Sequence, residues 1–124
     1  MLNKNYLLFF ALFWTSTVTY LSLSTIDSQL GNEIHIKNKD KIVHFVFYFL
    51  FVFLWSLYAN FKKNIPNSSS KILFIAILYG IMMEIFQGVF TTNRTADVFD
   101  VIANSLGAIA GYISIKRYLK NKTL

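Results

Sequence analysis

The chain places a few polar side chains inside otherwise apolar sequence, and their types suit acid–base or ligand chemistry. Glu84 lies within the apolar run 81–86, where an ionisable group is costly unless it faces a packed interior or a water-filled cavity. His44 offers an imidazole that can transfer protons near neutral pH. Asp100 lies too far into its predicted helix to be a simple helix cap. We therefore identify Glu84, His44 and Asp100 as candidate catalytic residues.

A second group of polar residues accompanies these three at helical spacing. Lys41 precedes His44 at i−3, which places both side chains on one helix face. The candidate binding residues are Asp40, Lys41, Gln87, Arg94, Asp97 and Asn104. Structural roles stay open for all of them. A carboxylate in a first helical turn, such as Asp97, is stabilised by the helix dipole alone, and a buried Glu84 could be protonated or paired to hold helices together.

The charges of these residues limit which ligands they can hold. Lys41 and Arg94 face the carboxylates of Glu84, Asp97 and Asp100, so the sum is near zero or slightly negative. A phosphate site usually has excess Lys and Arg, so a phosphate here would need a bridging divalent cation. The chain has only two histidines, which disfavours zinc. We assign no metal ligands, and a divalent cation is the one cofactor that the pattern suggests.

Four apolar segments must position these side chains. Hydrophobic residues make up 55% of the 124-residue chain and charged residues only 15%, compared with about a quarter in soluble domains. The apolar segments are 6–23, 42–59, 72–90 and 98–115. Each has about 18 residues, close to the minimum for a membrane-spanning helix. The sequence therefore predicts an all-α membrane protein, a bundle of four transmembrane helices in one domain covering 1–124.

The order of the charges predicts how the bundle crosses the membrane. Short cytoplasmic segments are rich in Lys and Arg, and three segments of this chain carry only basic charges. These basic residues are Lys4, Lys62, Lys63, Lys71, Lys116, Arg117, Lys120 and Lys122. We expect both termini to be cytoplasmic and the polar residues to face outward from the cytoplasmic membrane. The net charge of +6 then reflects topology and contact with lipid, and we expect no nucleic-acid partner.

Two further features concern the first and fourth spans. The first span, with Lys4 before it and small residues near 22–24, also fits a cleaved signal peptide, although its apolar length favours a retained helix. In the fourth span, Gly107 and Gly111 continue the face of Asn104. Small residues at spacing four allow helix backbones to approach closely. We therefore expect Gly107 and Gly111 to be packing residues.

Taken together, the polar residues form ordered motifs that resemble the VanZ-like family of small bacterial membrane proteins. The resemblance covers residues 40–111, and each motif lies on the expected span and at the expected end. The motifs are Asp40-Lys41-x-x-His44, Glu84-x-x-Gln87 and Arg94-x-x-Asp97-x-x-Asp100-x-x-x-Asn104-x-x-Gly107-x-x-x-Gly111. The resemblance implies a multi-pass architecture, and the member that names the family is associated with resistance to the glycopeptide teicoplanin. It implies no particular reaction.

Three functions are compatible with these observations. The first is binding of, or action on, lipid head groups or lipid-linked cell-wall precursors at the outer membrane face. The second is a non-catalytic accessory role that changes how glycopeptides meet the membrane. The third is a small transporter or channel subunit. The polar residues collect at one end of the spans, which argues against this third function. No nucleophile elbow, metalloprotease helix or phosphate-binding loop is present, so the sequence leaves open whether the protein is an enzyme.

Overall fold

The described part of the chain folds into four antiparallel helices. A computed structural model of the chain describes residues 4–23, 39–61, 68–90 and 98–123. The helices are α1 (Lys4–Leu23), α2 (Lys39–Phe61), α3 (Ser68–Phe90) and α4 (Val98–Thr123). Each is long and apolar enough to cross a membrane. The prediction of an all-helical fold with four helices able to span a membrane is therefore confirmed for the described residues. The cytoplasmic position of both termini stays a prediction.

All four helices extend beyond the apolar segments that predicted them, α1 by only two residues at its start. The longest extension is in α4, which continues past Ile115 to Thr123. At the other helix starts, α2 begins at Lys39 and α3 at Ser68. Hydrophobicity marks only the part of a helix that meets hydrocarbon, whereas backbone hydrogen bonding continues into the polar interface. Lys and Arg also have high helix propensity, which favours the extension of α4.

Hydrogen bonds between neighbouring helices define the two ends of the bundle. At one end, the Gln87 side chain of α3 bonds the backbone of Ser22 near the end of α1. At the other end, the Asn60 side chain near the end of α2 bonds Ser69 in the first turn of α3. We call these the site end and the opposite end. The site end holds the last turns of α1 and α3 and the first turns of α2 and α4.

The packed interior is small and the outer surface is strongly apolar. A buried cluster lies between the helices and consists of Val18, Tyr48, Phe51, Val52, Ala76 and Ala108. Large apolar side chains such as Phe9, Phe74 and Leu106 are more than half exposed. A soluble protein rarely exposes apolar surface on this scale. The exposed belt is the surface expected of a bundle that contacts lipid.

Side chains of α1 contact the rest of the bundle through specific hydrogen bonds. The Trp14 indole donates to the Phe47 carbonyl at 2.8 Å, and the Trp55 indole donates to the Thr15 hydroxyl at 2.8 Å. The hydroxyls of Thr19 and Tyr79 also bond each other. These contacts make α1 part of the packed bundle.

The closest helix crossing joins α2 and α4. A Cβ atom added at Gly107 would lie 2.1 Å from the Phe45 carbonyl oxygen, and one added at Gly111 would lie 2.6 Å from the Phe49 oxygen. Both distances are too short for any real side chain. The two glycines therefore allow the α4 backbone to pass directly against the α2 backbone, and this crossing holds the first turns of the two helices side by side.

Candidate functional site

His44, Glu84 and Asp100 meet at the site end, and we call these three residues the buried cluster. They come from α2, α3 and α4 and are only 3%, 4% and 6% exposed. One imidazole nitrogen and one oxygen from each carboxylate all lie within 4.8 Å of one another. The structure thus brings together the three side chains that the sequence suggested for chemistry.

Asp100 is the charged centre of the buried cluster. The Lys41 ammonium donates to Asp100 Oδ1 at 2.7 Å, joining the first turns of α2 and α4. The second oxygen, Oδ2, lies 3.7 Å from His44 Nε2. Lys41 is partly exposed whereas Asp100 is nearly covered. The pair therefore connects a buried carboxylate to the bundle surface.

The orientation of the His44 ring is set by Asn104. His44 Nδ1 lies 2.9 Å from Asn104 Oδ1, which comes from one turn below Asp100 on α4. An amide oxygen has no proton to give, so Nδ1 must be the donor. In the neutral imidazole, Nε2 then carries the lone pair. That lone pair lies on the side of the ring that faces Asp100 Oδ2.

Gln87 lies at the site end but bonds toward α1. Its side-chain nitrogen donates to the Ser22 carbonyl at 2.7 Å. The last carbonyls of a helix have no partner within that helix. Gln87 therefore supplies a hydrogen-bond donor to a carbonyl at the end of α1 and joins α1 to α3. The sequence predicted a ligand-binding role for Gln87, and this contact is a structural one.

Three predicted binding residues have no described side-chain geometry. Arg94 and Asp97 fall between α3 and α4, outside the described residues. Asp40 lies in the first turn of α2, and its side chain is likewise outside the described part. Their assignment as binding residues stays a prediction.

Two residues that the sequence did not single out also border the buried cluster. Tyr48 lies one turn below His44 and is 1% exposed, and its hydroxyl has no hydrogen-bond partner among the described residues. Gly80 packs against Asn104, because an added Cβ would lie 3.1 Å from the Asn104 amide nitrogen and 3.3 Å from the Tyr48 ring. The i+4 spacing from His44 could have indicated that Tyr48 lies on the same helix face. The many aromatic residues around Tyr48 conceal this spacing.

A surface groove runs from Lys41 between α2 and α4. It is an open groove of about 280 Å³, lined by Lys41, Ile42, Phe45, Ala103 and Leu106. Apart from Lys41 its walls are apolar. Because the Lys41 ammonium also contacts Asp100, the groove on the lipid-facing surface adjoins the buried cluster.

The arrangement has the parts needed for acid–base or ligand chemistry on a bound molecule. A neutral His44 presents a basic nitrogen, Glu84 and Asp100 are hard oxygen ligands, and Lys41 offers a positive charge. Burial strengthens the electrostatic interactions among these groups because the dielectric constant is low there. The site therefore suits a polar or charged group that approaches from the membrane surface.

Comparison with known proteins agrees with the motif pattern. No curated protein matches the chain, and no solved structure matches it. A family model described as VanZ/LLP1 matches residues 4–120, which includes the first helix as well as the motifs at 40–111. The resemblance noted in the sequence is thereby confirmed, and this four-helix chain belongs to the VanZ/LLP1 family.

Proposed function

We propose that this protein binds the phosphate-bearing head group of a membrane lipid at the outer face of the cytoplasmic membrane, where the buried cluster binds or acts on that group. The observation that carries the proposal is the position of Lys41. This residue lines the apolar groove and also contacts Asp100 of the buried cluster. A molecule that combines an acyl chain with an anionic head group matches both features.

The groove fits part of an acyl chain. Ile42 and Phe45 on one wall and Leu106 on the other are exposed to the hydrocarbon that surrounds the bundle. A chain lying between them would place its head group near the first turns of α2 and α4. There Lys41 supplies a charge opposite to that of a phosphate. A phospholipid and a lipid-linked cell-wall precursor share this chemistry.

The charge distribution supports an outward-facing site. At the opposite end of the bundle, exposed Lys71, Lys116 and Arg117 carry only positive charge. The site end holds Glu84 and Asp100, so the acidic groups of the described helices collect there. Cytoplasmic ends of membrane proteins are enriched in Lys and Arg. The opposite end is thus the better match to the cytoplasm.

The middle of the bundle argues against a conducting path. The stretches 5–23, 45–60, 72–83 and 101–115 contain no Asp, Glu, Lys, Arg or His. Ion and proton pathways through membranes usually contain ionisable residues at several depths. The polar groups here form a one-sided site, which favours binding at one membrane face over transport.

Lipid retention tests the proposal. The chain, purified in mild detergent, should keep a phosphate-bearing lipid that mass spectrometry identifies and quantifies. Leu106→Trp should fill the groove and lower the lipid per protein several-fold. Ile109→Trp, at an exposed position of the same helix that does not line the groove, is the matched control and should keep it. Equal retention by both variants would reject the groove as the binding site.

A further inference from the structure

The buried cluster has the composition and geometry of a metal site. Two carboxylates and one imidazole converge from three helices, with their nearest ligand atoms within 4.8 Å. Lys41 offsets one negative charge at the edge of the cluster. A divalent cation between Glu84, Asp100 and His44 would outweigh the one remaining negative charge and add direct bonds to all three side chains.

The distance between His44 and Asp100 fits two ligands of one ion. Nε2 and Oδ2 are 3.7 Å apart, beyond a normal hydrogen bond. Two ligand atoms that each lie about 2.1 Å from a tetrahedral ion are separated by roughly 3.4 Å. A small movement of either side chain therefore suffices for both to bind the same ion.

The second nitrogen of His44 is held as it is in metal-binding histidines. Such residues donate their other N–H to a carbonyl or carboxylate, which fixes the tautomer and directs the free nitrogen at the metal. Nδ1 of His44 donates to Asn104 Oδ1 at 2.9 Å. Asn104 is outside the buried cluster, so this bond is an observation separate from the convergence of the three ligands.

Tyr48 provides a further indication. Its side chain is 1% exposed, its hydroxyl has no hydrogen-bond partner among the described residues, and it lies one turn from His44 on α2. Buried hydroxyl groups are nearly always hydrogen-bonded. A water molecule bound to the cation would give the Tyr48 hydroxyl a partner at the base of the site.

We propose that His44, Glu84 and Asp100 bind one divalent transition-metal ion, either zinc or manganese. A site with one imidazole and two carboxylates suits these ions, whereas magnesium and calcium prefer ligands that are all oxygen. Three protein ligands leave a position open. Binding of the ion does not depend on the proposed function. Binding of the lipid phosphate at the open position of the ion does rest on it.

This inference departs from the expectation drawn from the sequence. There, two histidines in the whole chain disfavoured zinc, and no metal ligand was assigned. Counting histidines misses sites in which carboxylates supply most of the ligands. The structure shows that one His is accompanied by Glu84 and Asp100 from different helices, a combination that no local sequence motif reveals.

Metal binding by the purified full chain tests the proposal. We expect the protein, stripped with a chelator and titrated with Zn²⁺ or Mn²⁺, to bind about one ion per chain with saturation. Glu84→Gln and His44→Ala should each remove saturable binding. Asn104→Leu should weaken the affinity roughly 10- to 100-fold, as is typical of changes to residues that orient ligands. Ser56→Ala, buried elsewhere on α2, is the matched control and should bind as the original chain does.

The outcomes separate this inference from the proposed function. Absence of saturable binding of both ions, or equal binding by Glu84→Gln and the original chain, overturns the metal site. Because Gln preserves the size of Glu, a monodisperse Glu84→Gln protein excludes misfolding as the cause of lost binding. If metal binds normally while Leu106→Trp and Ile109→Trp retain equal lipid, the metal site stands and lipid binding in the groove fails.

Discussion

At the scale of single residues, Asp100 connects the buried interior of the site to the bundle surface. One carboxylate oxygen accepts a hydrogen bond from Lys41 and the other faces His44. Removing one partner of a covered ion pair leaves a charge without compensation, which costs more than the pair itself contributes. Substitutions in the Lys41–Asp100 pair therefore measure how strongly this ion pair joins the first turns of α2 and α4.

A double-mutant cycle measures this pair. Lys41→Gln should lower the free energy of unfolding, because it leaves Asp100 charged and buried. Lys41→Gln combined with Asp100→Asn should recover part of that loss. We expect a coupling of about 1 kcal/mol, since Lys41 is partly exposed and water weakens the interaction. The measurement is denaturant unfolding in detergent micelles, and additive effects of the two changes would show that the pair contributes no coupling.

Glu84 distinguishes a chemical role from a packing role. Gln keeps the shape and hydrogen-bonding capacity of Glu but loses the charge and the acidity. We expect Glu84→Gln to accumulate in membranes at normal levels, yet to behave like a deletion in an assay of susceptibility to glycopeptides and other envelope stress.

Ser56→Ala is the control for the Glu84 experiment. Ser56 is buried in α2 far from the cluster, and this variant should retain full activity at matched membrane levels. If Glu84→Gln also retained full activity, the Glu84 carboxyl would have only a structural role. The same comparison with His44→Ala and Asp100→Asn extends the test to the other two candidate catalytic residues.

At the scale of helices, the contact between α2 and α4 determines the geometry of the site. Lys41 and His44 on α2 reach Asp100 and Asn104 on α4 only because these helices run close together. One turn or more below the site, the same face of α4 carries Gly107 and Gly111. At Gly107 the Phe45 carbonyl occupies the space that a side chain would need. Changes at this crossing should therefore affect both stability and the site.

Glycine substitutions test the crossing. Gly107→Ala should destabilise the protein by about 1–3 kcal/mol, because overpacking forces the helix backbones apart. Gly111→Ala should cost less, since its added Cβ would lie 2.6 Å rather than 2.1 Å from a carbonyl oxygen. Gly88→Ala, at an exposed position of α3, should be neutral or stabilising because Ala favours helix. Equal thermal stability of all three variants would contradict the close approach.

Helices and shared faces could be predicted from the sequence, whereas partners across helices could not. Apolar length located four spans, and i, i+4 spacing put Asp100 and Asn104 on one face of α4. Nothing in that spacing pairs Lys41 with Asp100 rather than with Glu84, because the pairing depends on how α2, α3 and α4 are rotated against each other. For the same reason, the bond from Gln87 to a backbone carbonyl of α1 was not predictable.

At the scale of the whole molecule, the bundle is polarised from end to end. Glu84, Asp100 and the part of the groove at Lys41 lie at the site end. The exposed residues Lys71, Lys116 and Arg117 lie at the opposite end. A membrane surrounds such a bundle in one preferred orientation. The proposed function requires the orientation in which the site end faces outward, where outer-leaflet lipids could reach it.

Cysteine labelling tests the orientation in a chain that has no cysteine of its own. Asn93→Cys, in the sequence that joins α3 to α4, should react with an impermeant thiol reagent added to intact cells. Ser70→Cys, exposed at the opposite end, should react only after the membrane is opened. Ser70 suits this experiment better than its neighbour Ser69, which is buried and bonds Asn60. The reverse labelling pattern would place the site in the cytoplasm.

The most direct test of the central claim is a photo-crosslink from inside the groove. Benzoylphenylalanine in place of Phe45, which lines the groove, should capture a phosphate-bearing lipid enriched well above its share of the membrane. The same probe in place of Phe74, exposed on α3, should capture lipids in proportion to their abundance. Mass spectrometry of the adducts identifies whether the lipid is a phospholipid or a lipid-linked precursor. We predict that Lys41→Gln abolishes the enrichment at position 45, and identical lipid profiles at positions 45 and 74 would contradict the account.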